Sequence, residues 1–134
     1  MASGSGTYYA AKLLNQTFNA TVYVFPTSLD LRLFSTGGLT PAGAGTEVAG
    51  AGYQPFQAQC NVTNWPVTTT NSIANGVVFS FNPAGGAWTV AITLGIYEHG
   101  NNNLVCFGDL LAPKTLSSGD VFQFTQGNVT ITQS

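Results

Sequence analysis

The chain has 134 residues, of which 44% are hydrophobic and only 6% are charged, and its formal net charge at pH 7 is −2. This length suits one domain with one core, and the hydrophobic fraction excludes an intrinsically disordered chain. Nucleic-acid binding needs clustered basic residues, but Lys12, Arg32 and Lys114 are far apart in the sequence. A nucleic-acid partner is therefore excluded.

No apolar run approaches the roughly 18 residues of a membrane span, so no membrane partner is expected. Residues 1–6 do not resemble a signal peptide.

The low charge content is the most unusual property of the composition. An ordinary soluble domain has about 25% charged residues, which keep its surface hydrated. Here the surface has to be covered by Thr, Asn, Ser, Gln and Gly, or by other protein. Such a composition is typical of a subunit that functions inside an assembly, and also of many secreted and viral β proteins.

One helix is predicted, over residues 7–18. Ala10, Ala11, Leu13, Leu14 and Phe18 form an apolar stripe at near-helical spacing. Thr7 is a suitable N-cap, and the β-branched residues that follow Asn19 end the helix.

The first strands are predicted directly after this helix. Residues 21–25 are β-branched and aromatic and stop at Pro26. In residues 29–33 three leucines alternate with Asp30 and Arg32, which predicts a half-buried strand whose charged face is solvated. Residues 37–52 are rich in Gly, Pro, Ala and Thr and predict a long loop, whose length suggests a role in contacts.

The remainder of the chain is predicted to be β. Strands are expected at 56–62, 67–70, 77–81, 88–98, 104–110, 121–125 and 128–132, with 88–98 central and covered on both faces. Residues 99–103 predict a hairpin loop, and Gln126-Gly127 predicts a tight turn. Eight or nine short strands, with turns about every 8–12 residues and one N-terminal helix, predict an antiparallel β-sandwich or jelly-roll-like fold in a single domain, 1–134.

No group of residues indicates catalysis. His99, the only histidine, lies in a Gly/Asn-rich turn and is expected to be a solvated loop residue. The carboxylates of Asp30, Glu47, Glu98, Asp109 and Asp120 form no obvious pair, and the His and Cys residues lack metal-ligand spacing. The Gly43–Gly52 stretch lacks the Lys and the following helix of a phosphate-binding loop. We therefore expect no enzyme activity, no metal and no cofactor.

Cysteines and aromatic residues leave alternatives open. Cys60 and Cys106 are expected to be buried free thiols, although spacing alone cannot decide whether they form a disulfide. Trp88 and Tyr97 are expected in the core. Tyr53 and Trp65 lie at loop edges, where they could instead form an aromatic platform for a sugar or a partner protein.

A series of short motifs carries a family resemblance over nearly the whole chain. The motifs occur in the order Leu13-Leu14-Asn15, Thr21-Val22-Tyr23-Val24, Gly45-Thr46-Glu47-Val48 with Gly52-Tyr53, Leu104 with Gly108-Asp109-Leu110, Ala112-Pro113-Lys114-Thr115, Gly119-Asp120 and Gly127-Asn128-Val129-Thr130. In this order the chain resembles small bacteriophage virion structural proteins, a family usually labelled tail fibre or minor structural proteins. Members often carry an Arg shortly after the loop Tyr, where this chain has Gln54-Pro55-Phe56.

The resemblance implies a β-rich structural protein located in the virion. A capsid cement or decoration subunit is the leading expectation, because the chain is short and lacks the repeats or heptads of a self-sufficient fibre. A tail, collar or fibre adaptor is the alternative, and a carbohydrate-binding module that recognises the host surface through Tyr53 and Trp65 is a further one. The expected partners are the major capsid protein or tail components, together with further copies of the chain in a homo-oligomer, with a trimer as one option. The expected partner contacts are Glu47, Tyr53, Phe56 and Trp65.

Overall fold

A computed structural model describes residues 3–133 as a mainly β fold with one helix, which confirms the predicted fold class. The elements in chain order are β1 (Ser3–Ser5), α1 (Thr7–Asn19), β2 (Ser28–Leu39), β3 (Gly45–Glu47), β4 (Phe56–Gln59), β5 (Ser72–Ala74), β6 (Phe79–Ser80), β7 (Ala91–Glu98), β8 (Leu104–Lys114), β9 (Gln123–Phe124) and β10 (Thr130–Thr132).

The main sheet is antiparallel and has six strands. Its order is β1-β8-β7-β2-β3, and β4 also pairs with β2. Strand β7 lies between β8 and β2, and most of its residues are buried, as the continuous apolar run predicted. The predicted hairpin loop at 99–103 joins β7 to β8, so these residues lie at one end of the sheet next to the start of β2.

Each face of the sheet carries its own core. On one face Leu31, Leu33 and Ile96 belong to the larger core, which two small strand pairs, β5–β10 and β6–β9, complete. Its other fully buried side chains include Phe79, Phe81, Trp88, Phe122 and Val129. On the opposite face lies a smaller core of Phe34, Leu39, Tyr97, Leu104 and Phe107. The alternation of strand side chains assigns Leu31 and Phe34 to opposite faces.

Two of the predicted strands in the first half of the chain are wrong. Residues 20–27 form an irregular connector instead of a strand at 21–25, and the Tyr23 N–H donates to the Gln16 side chain of α1 (2.9 Å). Residues 67–70 are not a strand either. The Thr68 hydroxyl donates to the Ser72 carbonyl (2.6 Å), and this local bond shapes a loop before β5 begins.

The predicted loop at 37–52 also differs from the structure, whereas the turn predicted at Gln126-Gly127 is present. Strand β2 continues to Leu39 and pairs with β3, so the loop contains ordered strand. Strands β9 and β10 do not pair with each other: β9 pairs with β6, and β10 pairs with β5. The predicted helix is confirmed at Thr7–Asn19, but its N-cap is Gly6 rather than Thr7.

Candidate interaction site

The first 25 described residues, 3–27, form an N-terminal arm that lies against one edge of the main sheet. Strand β1 pairs with β8, with Ser5 opposite Cys106, and the Gly6 N–H donates to the Val105 carbonyl (2.8 Å). The helix α1 then packs against β8, but no side chain of the helix is buried. Since most helical stability in proteins comes from packing of an apolar face, this helix is unusually poorly supported by its own chain.

The helix also lacks the local features that stabilise a helix in isolation. Its N-cap Gly6 makes no side-chain capping bond, its first turn has no acidic residue and its last turn has no basic residue. Capping and complementary charges contribute about 0.5–2 and 0.3–1 kcal/mol respectively. The C-terminal end is closed by Ala20, which adopts a left-handed conformation with φ 58°.

Tyr23 is the main side-chain anchor of the arm, and it is the one buried side chain in residues 7–27. Its hydroxyl donates to the buried carboxylate of Glu98, at the end of β7. Its ring makes edge contacts with Tyr9 and Phe25, with centroids 6.0 and 4.9 Å apart. Burial raises the pKa of Tyr23, and the hydrogen bond to Glu98 raises that pKa further. The hydroxyl therefore stays a donor throughout the ordinary pH range.

The arm exposes several large apolar side chains among its polar ones. On the helix, Leu14 and Phe18 are 58% and 81% exposed, and they share one helix face because they are four residues apart. On the connector, Val22 and Val24 are 82% and 84% exposed and flank the buried Tyr23. The arm has one charged residue, Lys12, whose ammonium lies over the Tyr8 ring. This exposed apolar surface is typical of a protein interaction site.

A polar network ties the hairpin at 99–103 to strand β2. The Arg32 guanidinium donates to the Asn101 carbonyl (2.8 Å) and to the Asn102 side chain (2.9 Å), and its carbon lies 4.3 Å from the Tyr97 ring centroid. The Asp30 carboxylate lies between two basic side chains. One of its oxygens is 2.7 Å from His99 Nδ1, and the other is 3.7 Å from the Arg32 guanidinium. The prediction of a solvated Asp30–Arg32 face is wrong, because the hairpin folds over that face, whereas His99 is an exposed loop residue as predicted and also contacts Asp30.

Glu98 completes this network from the other side of the hairpin. Besides Tyr23, its carboxylate accepts from the amides of Asn101 (3.3 Å) and Asn103 (3.1 Å). The chain has three Lys and Arg, five Asp and Glu, and one His. Four of these nine groups therefore hold one hairpin and, through Tyr23, the arm. Their arrangement satisfies buried charges with local donors, which is a structural use.

The four residues predicted as partner contacts lie in two places. Glu47 and Tyr53 form one unit, in which the Tyr53 hydroxyl donates to Glu47 (2.6 Å) and accepts from the Leu33 N–H (3.0 Å). Burial raises the pKa of Tyr53, and the bond to Glu47 adds to the effect. Phe56 and Trp65 form the second unit, since both rings pack against Phe79. Whether these residues contact a partner stays a prediction.

The same contacts bear on the proposed aromatic platform. The Tyr53 ring meets Trp88 edge-on at 5.2 Å, and Trp65 meets Phe79 at 5.3 Å, so both are half-buried side chains packed against the larger core. The structure does not bring Tyr53 and Trp65 into one exposed surface. Trp88 and Tyr97 are buried, as predicted.

The two cysteines form no disulfide. Cys60 and Cys106 are both free, and Cys106 packs against the larger core, but Cys60 is exposed, contrary to the prediction. Burial raises the pKa of Cys106 to about 12. Within residues 3–133 no three His, Cys, Asp or Glu side chains lie close enough to hold a metal ion. The helix in this part of the chain is too short to cross a membrane.

Sequence reasoning missed the arm surface as an interaction site. The apolar stripe of α1 was visible, but its spacing is the same whether the stripe faces a core or solvent. The available signal was a run of large apolar residues, Leu14, Phe18, Val22, Val24 and Phe25, in a segment with one charge.

Comparison with known proteins gives one family match. A family model described as "Podophage GP4 fiber I protein gp80" matches residues 4–132, which includes the arm from residue 4 onwards and every strand from β2 to β10. No curated protein matches the chain.

Proposed function

The chain belongs to the family of the podophage GP4 fiber I protein gp80, phage virion proteins of the tail-fibre kind, and from this premise we propose that it is a structural subunit of a tail fibre. The match over residues 4–132 carries the proposal, because it extends over the whole described fold rather than one motif. The subunit acts by binding other virion components through protein–protein contacts.

The surface chemistry supports this role. Interfaces are depleted in charged residues, and only 6% of the residues of this chain are charged. The N-terminal arm adds an exposed apolar surface, as an assembly protein requires.

The proposed role involves no catalysis. His99 Nδ1 contacts Asp30, and the Glu98 carboxylate accepts from one hydroxyl and two amides, so these side chains hold the hairpin and the arm in place.

Capsid decoration is the competing assignment within the virion, and the family description favours the fibre. A decoration subunit and a fibre subunit would share a charge-poor β fold, so they differ by position and number. The fibre assignment predicts a few copies to tens of copies per particle, whereas capsid decoration predicts a copy number comparable with that of the major capsid protein.

The experiment is immunogold labelling of purified particles with an antibody against the chain, combined with quantitative mass spectrometry of the same particles. Label at the tail, with a low and fixed copy number, is the expected result. Label distributed over the head at high copy number would replace the fibre assignment with capsid decoration. Detection in infected-cell lysate but never in purified particles would overturn the structural role.

A further inference from the structure

Asn75 is a buried amide that connects the two small strand pairs, and only 2% of the residue is exposed. Its Nδ2 donates to the carbonyls of Val77 (2.8 Å) and Thr125 (3.0 Å), so both amide hydrogens are used. Its Oδ1 accepts from the Val129 N–H (2.8 Å). The side chain thus joins the segment before β6 to the turn between β9 and β10.

The next residue, Gly76, is held as closely as Asn75. A Cβ atom at this position would lie 2.5 Å from the Thr63 carbonyl oxygen and 2.7 Å from the Pro66 ring, so the close approach requires glycine. The Gly76 N–H donates to the Asn64 carbonyl (2.7 Å). The fold therefore needs Asn followed by Gly here, and this dipeptide occurs once in the chain.

An Asn-Gly dipeptide is chemically labile, because glycine places no side chain beside the attacking nitrogen. The Gly76 nitrogen loses its proton to a base from solvent and attacks Asn75 Cγ. The new C–N bond forms, the Cγ–Nδ2 bond breaks, and ammonia leaves. Water then adds to one carbonyl of the cyclic imide and breaks one of its C–N bonds, which yields aspartate or isoaspartate. The net reaction consumes one water and replaces the amide by a carboxylate.

The native structure opposes each step of this reaction. The attacking nitrogen is bonded to Asn64, and the Asn75 amide is held by three hydrogen bonds. Because Asn75 is buried, base and water do not reach it from solvent. Deamidation therefore has to pass through an opened state, and the population of that state sets the rate.

The product of deamidation does not fit the native site. An ionised carboxylate only accepts hydrogen bonds, so the carbonyls of Val77 and Thr125 would lose their donor and face a buried negative charge. Isoaspartate also adds a methylene group to the main chain between β5 and β6, which displaces the residues that follow. A chain modified at this position is thus unsuited to the native fold.

We propose that Asn75 is a deamidation site which the native fold protects, and that its modification makes unfolding of the subunit irreversible. A subunit that stays folded keeps its amide, whereas one that stays open is converted to a form that does not refold. Folding of a small domain takes microseconds to seconds, far less than deamidation, so a new chain folds with the amide intact. This property goes beyond the proposed function and does not depend on where in the particle the chain lies.

The first test compares wild-type protein at pH 8 in buffer and in guanidinium chloride. Mass spectrometry of the peptide that contains Asn75 measures the modified fraction over time. Asn75 should deamidate in denaturant, and its rate in buffer should be at least about a hundredfold lower, the factor for an opened population of about 1%. Equal rates under the two conditions, or no modification of Asn75 in denaturant, would overturn the proposal.

The second test measures whether modified chains refold. Protein is held in guanidinium chloride at pH 8 until a large part of Asn75 is modified, and it is then diluted into buffer and fractionated by size-exclusion chromatography. The folded fraction should contain the intact amide. Modified chains present there in proportion to their abundance would contradict the proposal. A sample held for the same time at pH 5, where the base-dependent first step is slow, should refold.

A pair of variants isolates the effect of the carboxylate. Asn75→Asp places the product in the chain directly and should lower the denaturation midpoint or prevent folding. Asn128→Asp is the matched control, because it introduces the same charge in the same turn at an exposed residue whose side chain meets the Thr125 hydroxyl. This control should keep the wild-type midpoint. Equal midpoints for the two variants would show that the site accepts the product and would overturn the proposal.

Discussion

His99 Nδ1 lies 2.7 Å from Asp30 Oδ1, which connects the β7–β8 hairpin to a strand 69 residues earlier in the chain. Asp30 is buried, whereas about half of the His99 side chain is exposed. The carboxylate also lies 3.7 Å from the Arg32 guanidinium. The Asp30 carboxylate is therefore shared by two basic side chains. We expect these two contacts to contribute unequally to the free energy of unfolding.

Replacing Asp30 should lower the free energy of unfolding more than replacing the half-exposed His99. Asp30→Ala leaves the largely buried Arg32 without its carboxylate, and we expect a loss of about 1–3 kcal/mol in the free energy of unfolding. His99→Asn removes a partly exposed pair and should cost less than about 1 kcal/mol. Urea denaturation at pH 7 measures both. Equal losses in the two variants would contradict this order.

Gly95 is required by the smaller core. A Cβ atom at this position would lie 2.8 Å from Leu39, 2.9 Å from Tyr97 and 3.0 Å from Phe34, all in the buried cluster. We expect Gly95→Ala to destabilise the fold by about 1–3 kcal/mol through overpacking. Gly86→Ala is the matched control, because its Cβ would meet only Ala51 at an ordinary 3.6 Å. Comparable denaturation midpoints for the two variants would show that the core can accommodate the methyl group.

The two cysteines should differ sharply in reactivity. The thiolate is the reactive form. Burial raises the pKa of both thiols, that of Cys106 to about 12, and Cys60 is the exposed one of the two. At pH 8 under native conditions, iodoacetamide should add one label, at Cys60. A second label should appear only in denaturant. Peptide mass spectrometry locates the labels, and native labelling of Cys106 at a comparable rate would contradict its placement.

Alkaline pH should destabilise the protein through Tyr23 and Tyr53. Burial, together with hydrogen bonds to Glu98 and Glu47, raises both pKa values above the ordinary 10.0. The folded state thus keeps protons that the unfolded chain releases, so stability is fully present below pH 10 and falls as pH rises beyond it.

Urea titrations at pH 7, 9 and 11 measure this dependence. Tyr23→Phe should lower stability at pH 7, since the donor to Glu98 is lost, and should make the decline above pH 10 shallower, since one fewer proton is released. Tyr8→Phe is the control, because Tyr8 lies on the exposed side of the helix. A decline of equal slope in wild type and Tyr23→Phe would contradict the role of Tyr23.

Local sequence patterns determined several elements correctly. The alternation of Leu29, Leu31 and Leu33 predicts a strand with one buried face because strand side chains alternate with a period of two. The Asn/Gly-rich run at 99–103 predicts the hairpin turn, and the apolar spacing in 7–18 predicts the helix. These features depend on backbone geometry within a few residues, and the structure contains all three.

Strand pairing was decided by the tertiary structure. Residues 123–124 and 130–132 are close in sequence and separated by a turn, yet they pair with β6 and β5 respectively. A two-residue turn signal describes a change of direction and does not specify the neighbour.

For the candidate interaction site too, the sequence determined some features and the tertiary structure determined others. The sequence by itself determined that residues 3–27 contain a helix, large apolar side chains and one charge. Only the tertiary structure decided that Tyr23 turns inward to Glu98 while Leu14, Phe18, Val22 and Val24 remain outside. The physical reason is that hydrophobic periodicity identifies an apolar face but carries no information on what covers it. In this chain one side chain of the helix and its connector, Tyr23, is buried, and the large apolar side chains named above stay exposed.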